Sequence, residues 1–439
     1  MHAPMGFTSR FTGTKCIFIA AFISLLLILL TFSTDTVKAP LEYAQHKAHG
    51  YLTSKWPKNE IYNCQDPYQG PGFLHIPYEA EEYRETRWIP YSNELLDAET
   101  PESAKYPPTG EVVFNATDIE PQFLDAPSVP RNWMQMAVAE NKRRQKAVHT
   151  ATPAVGDFLD MKNDGDLGWL WGRRVLLISD SVDQFMTKYF CQEFDEVMWQ
   201  GEGHSVASCT IPAFNLTVAH WFTVGQFTYK PEWWWMEISA PIVPWEDRWE
   251  QVWAPHNDTI RGPKGKPDLV LWQNGLWDQR ALWTGTVESH DKDDLPMGSR
   301  SRQMVWEEIR FMTARTGKLV RRIQHEFSGV PIMFRSLTAH QKSSLTGDIT
   351  LYELDRIQRA AAARAGLEVF EWGRILTSLG MLYKDFTHPD KGPASWLWGN
   401  MVLEYLARSA GMGRDEESRS PYFDGWDACH PYLSNWGGR

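Results

Sequence analysis

Basic residues are in deficit: 44 Lys and Arg stand against 55 Asp and Glu in 439 residues, a net charge of −11. A nucleic-acid binder would carry a basic patch or stripe, so no nucleic-acid partner is expected. Cysteine is scarce too, with five in all, and neither C-x-x-C nor H-x-x-x-H occurs. Structural zinc sites depend on such spacings, so no metal centre is expected. No apolar run long enough to span a bilayer follows residue 32, which excludes a multi-pass membrane domain that could import an acyl donor. Charge is not so dominant as to keep the chain unfolded: 43% of residues are hydrophobic and 23% charged, enough for a sizeable core. What is abundant is tryptophan, 22 residues within an aromatic content of 13%. That suits a core of large side chains or a sugar-stacking surface, and composition does not separate the two.

The N-terminus sets the expected compartment. From Cys16 to Phe32 the chain reads CIFIAAFISLLLILLTF, uncharged, with Arg10 and Lys15 before it and Asp35 after it. A bilayer span takes about 20 apolar residues with a lower limit near 17, so this run is long enough for a thin membrane. The positive-inside rule keeps the basic end cytoplasmic. A cleaved signal peptide is the competing reading, but its apolar region is shorter and an A-x-A site is missing. The expectation is therefore a single-pass type II protein of the secretory pathway: tail 1–15, signal anchor 16–34, stem 35–60, and everything beyond in the lumen, with the Golgi as its station. Cys64, Cys191, Cys209 and Cys429 then face an oxidising space, where three pairings are open. Cys191 with Cys209 and Cys64 with Cys429 are favoured. Asn115, Asn215 and Asn257 each open an N-x-[ST] glycosylation sequon.

Residues 61–150 are rich in Pro, Tyr and acidic side chains and read as an irregular subdomain on the core. Residues 151–439 read as the main domain. There RRVLLIS is a buried strand followed by the helical pattern VDQFMTKYFCQEF; PDLVLWQ (267–273) is a second strand. A long amphipathic helix over 302–327 leads into the strand VPIMFRSL (330–337). LYELDRIQRAAAARAG is a helix with Gly366 as its stop, LEVFEWGRIL a strand, and 395–410 a closing helix. The alternation predicts an α/β fold, a three-layer sandwich with a mostly parallel central sheet, whose reactive loops lie at the carboxyl ends of the strands.

Three motifs fall on such loops. Ser181, in Ser179-Asp180-Ser181 after the first strand, is the candidate nucleophile, since helix N-terminal amides there stabilise an oxyanion. Its plain alternative is an ordinary helix cap. Asp385 lies three residues before His388, and a carboxylate in that position holds an imidazole's tautomer while the other ring nitrogen faces a serine. Asn274 and Gly275, after the second strand, offer an amide and an N–H to the oxyanion; the alternative is a polar turn.

The blocks LLISDSVDQFMTKYF, VLWQNGLWDQR and KDFTHPDKGPASWLWGNMVLEYL together resemble the SGNH/GDSL hydrolase superfamily, most closely its PC-esterase and trichome-birefringence-like branch, over roughly residues 170–410. The resemblance implies an SGNH-like fold and a Golgi enzyme that acetylates or deacetylates glycans. It makes Ser181, Asp385 and His388 the triad, Asn274 and Gly275 oxyanion contributors, and Arg335, in Phe334-Arg335-Ser336 before His340, a substrate or oxyanion contact. Ser179 stands where the superfamily has the glycine of Gly-Asp-Ser, and the second-block glycine is Gly201 or Gly203. The function expected is glycan O-acetyltransfer through an acyl-serine, with O-acetylesterase activity as the alternative. No cofactor is expected to be bound permanently; the acetyl donor is not legible. A water-excluding cleft lined by Trp233, Trp234, Trp235, Trp245, Trp249 and Trp253 would favour transfer, and core packing is the other use of these residues. Two further readings stay open: a type II glycosyltransferase using Asp164-Gly165-Asp166, and a silent glycan-binding protein.

Overall fold

A computed structural model describes residues 66–410, apart from stretches of which the longest are 92–118, 234–241, 290–302 and 339–348. The expected tail, anchor and stem, the cysteines Cys64 and Cys429 and the sequon at Asn115 lie outside the described residues, as do Trp234, Trp235 and His340. Among the described residues no helix is long and apolar enough to cross a membrane.

Among the described residues seven strands form the central sheet: β3 (Arg174–Ser179), β4 (Trp199–Gln200), β5 (Val206–Ile211), β6 (Leu216–Phe222), β7 (Leu269–Trp272), β8 (Ile332–Arg335) and β9 (Glu368–Phe370). They lie in the order β4-β5-β6-β3-β7-β8-β9. β6, β3, β7, β8 and β9 run parallel, and β5 is antiparallel to both its neighbours. The sheet is thus mostly parallel, with an antiparallel hairpin at one edge. β1 (Gly72–His75) and β2 (Arg87–Pro90) make a separate two-stranded ribbon. The parallel strands read as unbroken apolar runs because both of their faces are covered; every residue of β7 and β8 is buried.

Consecutive residues of β8 show the two covering layers. Arg335 points to Asp183 on α2 (Ser181–Glu193), whereas Phe334 lies under the Arg359 guanidinium of α5 (Ile349–Arg364). α2 shares its layer with α7 (Pro393–Ser409), and Asp183 takes a hydrogen bond from Trp398 there. Nearly all of α7 is buried, as in a helix enclosed on every side. On the other face α3 (Leu276–Ser289) follows β7, and α4 (Trp306–Glu326) packs beside α5, burying Met312, Leu319, Val320 and Ile323.

Two expected assignments are corrected. LEVFEWGRIL is not one strand: β9 stops at Phe370, and α6 (Trp372–Leu376) follows. Gly373, in that helix, lies so close to the end of β8 that an added Cβ would fall 2.1 Å from the Ser336 carbonyl oxygen. Within the supposedly irregular 61–150 stands a 15-residue helix, α1 (Trp133–Ala147). It buries Trp133, Met134, Ala137 and Val138 in the main core, and its Met134 N–H donates to Asn400 of α7. Cys191, near the end of α2, is joined to Cys209 on β5, with Cα atoms 6.1 Å apart.

Candidate active site

β3 lies at the middle of the sheet. The chain leaves it for β6 on one side and then reaches β7 on the other, the switch point beside which ligand crevices open in such sheets. Beyond Ser179 the backbone turns through an extended Asp180 into α2. Asp180, not Ser181, caps this helix: its Oδ1 accepts from the Val182 amide at 3.0 Å. That leaves the half-buried hydroxyl of Ser181, the first helical residue, free of capping duty.

Ser181 Oγ lies 2.8 Å from His388 Nε2, across 207 residues of sequence. On the far side of the ring, Nδ1 is 2.9 and 3.0 Å from the two oxygens of Asp385. The neutral imidazole therefore carries its proton on Nδ1, donates it to Asp385 and presents a bare Nε2 to the hydroxyl. The loop that supplies both residues is tightly closed. Asp385 Oδ1 accepts from the amides of Thr387 and His388, each at 2.8 Å, and the Lys384 amide donates to the His388 carbonyl at 3.0 Å. Burial alone would raise the Asp385 carboxyl, but those amides and the ring outweigh it and hold it below the usual carboxylate value. Phe185, one turn into α2, meets the imidazole edge-on at 4.8 Å between ring centres and fixes its tilt.

The other expected site residues are placed differently. Continuing the β3–β7 register beyond Ile178 and Trp272 brings Asn274 level with Asp180. Its main chain is clamped by Gln358 of α5, which accepts from the Asn274 amide at 2.9 Å and donates to its carbonyl. The amide is thus committed, and only the side-chain Nδ2, buried and unpartnered, is left to donate. Gly275 packs against Leu337, where a Cβ would come within 2.9 Å of Cδ1. Arg335 is only 1% exposed, its Nε 2.9 Å from Asp183 Oδ2 and its Nη1 on the Ser336 carbonyl. It is enclosed beneath α2 and so is corrected from a substrate contact to a prop. Gly201 and Gly203 sit in the β4–β5 turn; the glycine directly beyond β6 is Gly225, where a Cβ would lie 2.6 Å from Asp278 Oδ1. Trp233, Trp245, Trp249 and Trp253 are buried in core clusters, and Trp253 stacks on Trp221 of β6.

Sequence reading missed several supports. Ser179 Oγ is 3.1 Å from Nε2 of His220 on β6, both wholly buried, and burial pushes the His220 ring down to about 4 so that it stays neutral. His220 lies inside an unbroken apolar strand, where only its single polar side chain marks it. Asp278 accepts from the Gln226 amide and from Tyr229 and so holds the loop after β6; burial raises its carboxyl to about 7.

Among the described residues no group of three His, Cys, Asp or Glu could hold a metal ion. Asp164 and Asp166 are exposed in a turn tied through Arg144 to Ala213, at the entering end of β6 and so across the sheet from Ser181. Asn215 has its side-chain oxygen on Arg174, and Asn257 opens a short helical turn; both are half-buried.

No known protein family matches the sequence, and no curated protein does. Among solved structures the chain is similar to Axe2, an acetylxylan esterase from Geobacillus stearothermophilus, at 14% identity and a TM-score of 0.29, covering 55% of this chain and 95% of that one. It is similar also to a structure from Parabacteroides merdae described as a GDSL-like lipase, at 11% and 0.32, over 55% and 96%. A third is the acetyl xylan esterase AlAXEase, at 15% and 0.28, over 54% and 98%.

Proposed function

We propose that the chain is an SGNH-type serine esterase that removes O-acetyl groups from carbohydrate. One observation carries the reading: an unbroken relay from the Ser181 hydroxyl through His388 to Asp385, built at a helix N-terminus on the carboxyl-end rim of a parallel sheet. In this reading Ser181 attacks the acetyl carbonyl while His388 Nε2 takes its proton and Asp385 stabilises the imidazolium. The developing oxyanion lies at the start of α2, where the helix dipole favours negative charge, with Asn274 Nδ2 as a further donor. His388 then returns the proton to the departing sugar oxygen, and water deacylates the serine. The substrate class comes from the resemblance of the three sequence blocks.

Hydrolysis is preferred to transfer because of solvent. The Asp385 side chain is 46% exposed, and the four described tryptophans expected to exclude water lie in the core. Transfer to a second sugar keeps its place as the alternative. We further place the enzyme in an oxidising secretory compartment, anchored through 16–34; the Cys191–Cys209 bond suits that setting.

The test incubates the full chain with an acetylated oligosaccharide, with and without an unacetylated acceptor, and weighs the products. Free acetate is expected, with kcat lower by about 10³-fold or more in Ser181→Ala. Undiminished turnover by that variant would overturn the reading, and acetyl groups gained by the acceptor in place of free acetate would make the enzyme a transferase.

A further inference from the structure

We propose that Lys384 makes the site selective for ligands bearing an oxyanion, foremost a sugar that carries a carboxylate beside the acetylated unit. The inference rests on the reading of Ser181, His388 and Asp385 as the reacting groups. Lys384 lies one residue before Asp385, and its ammonium stands directly over the Phe185 ring, 3.2 Å from the centroid. Phe185 is also the ring that packs against His388, so a single aromatic side chain contacts both the cation and the imidazole. The Tyr189 hydroxyl accepts from the same ammonium at 3.1 Å, and the Lys384 backbone is tied to the His388 carbonyl. The charge is therefore held in place, not swept through solvent.

Every carboxylate on the two flanking elements is committed elsewhere. Asp183 serves Arg335 and Trp398. Glu193 takes Tyr83 and Arg84 and lies 3.7 Å from Lys391. Asp385 is spent on the imidazole and its own loop, and Asp390 accepts from the Lys391 amide. Among the described residues none pairs with Lys384.

A fixed, unpaired cation so near His388 opposes the imidazolium that forms during serine attack, because like charges repel across a partly dry site. An anionic ligand removes that penalty and gains a charge-assisted hydrogen bond from a donor already ordered on Phe185 and Tyr189. In a protein with a net charge of −11, an uncompensated Lys at this place gives an acidic substrate a local point of attraction.

The test measures equilibrium binding to the full chain of xylotriose, of xylotriose bearing one glucuronosyl branch, and of inorganic phosphate. Wild type, Lys384→Met and Lys384→Arg are compared, with circular dichroism as the check on folding. The branched sugar is expected to bind about tenfold more tightly than the plain one, as one charge-assisted hydrogen bond provides; Met erases the difference and Arg keeps it. Phosphate binding that needs Lys384, without preference between the sugars, supports an oxyanion carried as a phosphate group of the ligand and not as a sugar carboxylate. Equal sugar affinities without phosphate binding, or a preference that survives in Lys384→Met, overturns the inference. Labelling of Ser181 by a fluorophosphonate reports on the triad separately. Labelling without anion selectivity sinks the role of Lys384 alone, and selectivity without labelling sinks the catalytic reading alone.

Discussion

Ser179 ends β3 without crowding the turn into α2 because its side chain has somewhere to go. Its Oγ meets His220 Nε2 inside the sheet. Ser179→Gly would remove that side-chain hydrogen bond while leaving the ring buried. A loss of about 1–3 kcal/mol is expected in denaturant unfolding, with a fall in kcat smaller than that of Ser181→Ala. A gain in stability from the glycine would show that the hydroxyl only strains the turn. At this scale the sequence was legible where a motif is short and local: Asp385 and His388 are three apart and belong to one loop. It was not legible where burial decides, since Arg335 offers the same five donors in a core as at a rim, and only the placement of Asp183 opposite reveals which.

Among elements, α2 and β8 are tied by that buried pair, both side chains 1% exposed. Arg335→Met should leave the Asp183 carboxylate uncompensated and cost about 3–5 kcal/mol, read from the chemical-denaturation midpoint. Replacing both partners with apolar residues of like size should restore most of it; if the single change proves neutral, the pair does not hold α2 in place. Strands β3, β7 and β8 and helices α4, α5 and α7 were readable because each has a clear period or an unbroken apolar run. The β5–β6 hairpin escaped notice: Val206–Ile211 alternates only weakly, and Asn215, which turns the chain in the left-handed region at φ 47°, looks like an ordinary glycosylation sequon. α1 was hidden by its polar face.

For the molecule as a whole, two wholly buried carboxyls set an unusual pH dependence. Burial raises Asp278 and Glu404 each to about 7, and the Trp133 indole bonded to Glu404 only partly opposes this. A raised carboxyl keeps its proton in the folded state while the unfolded chain gives it up. Stability is therefore expected to decline as pH climbs from about 4 to about 7 and then to level off, on the order of 3–4 kcal/mol for each group. Glu404→Gln should flatten the slope and stabilise the protein at pH 8, as unfolding curves at pH 5, 6, 7 and 8 would reveal; an unchanged slope would mean that Glu404 titrates normally. The layered α/β topology was open to inspection because alternating patterns dictate it. The strand order, which brings residues 181 and 388 together, is a property of packing that no local window contains. One consequence concerns time. The Ser181 hydroxyl is synthesised 207 residues before the His388 ring that it meets, which comes with the last loop before α7. On the proposed reading, any product truncated ahead of position 388 would keep the Ser181 hydroxyl without the imidazole that takes its proton.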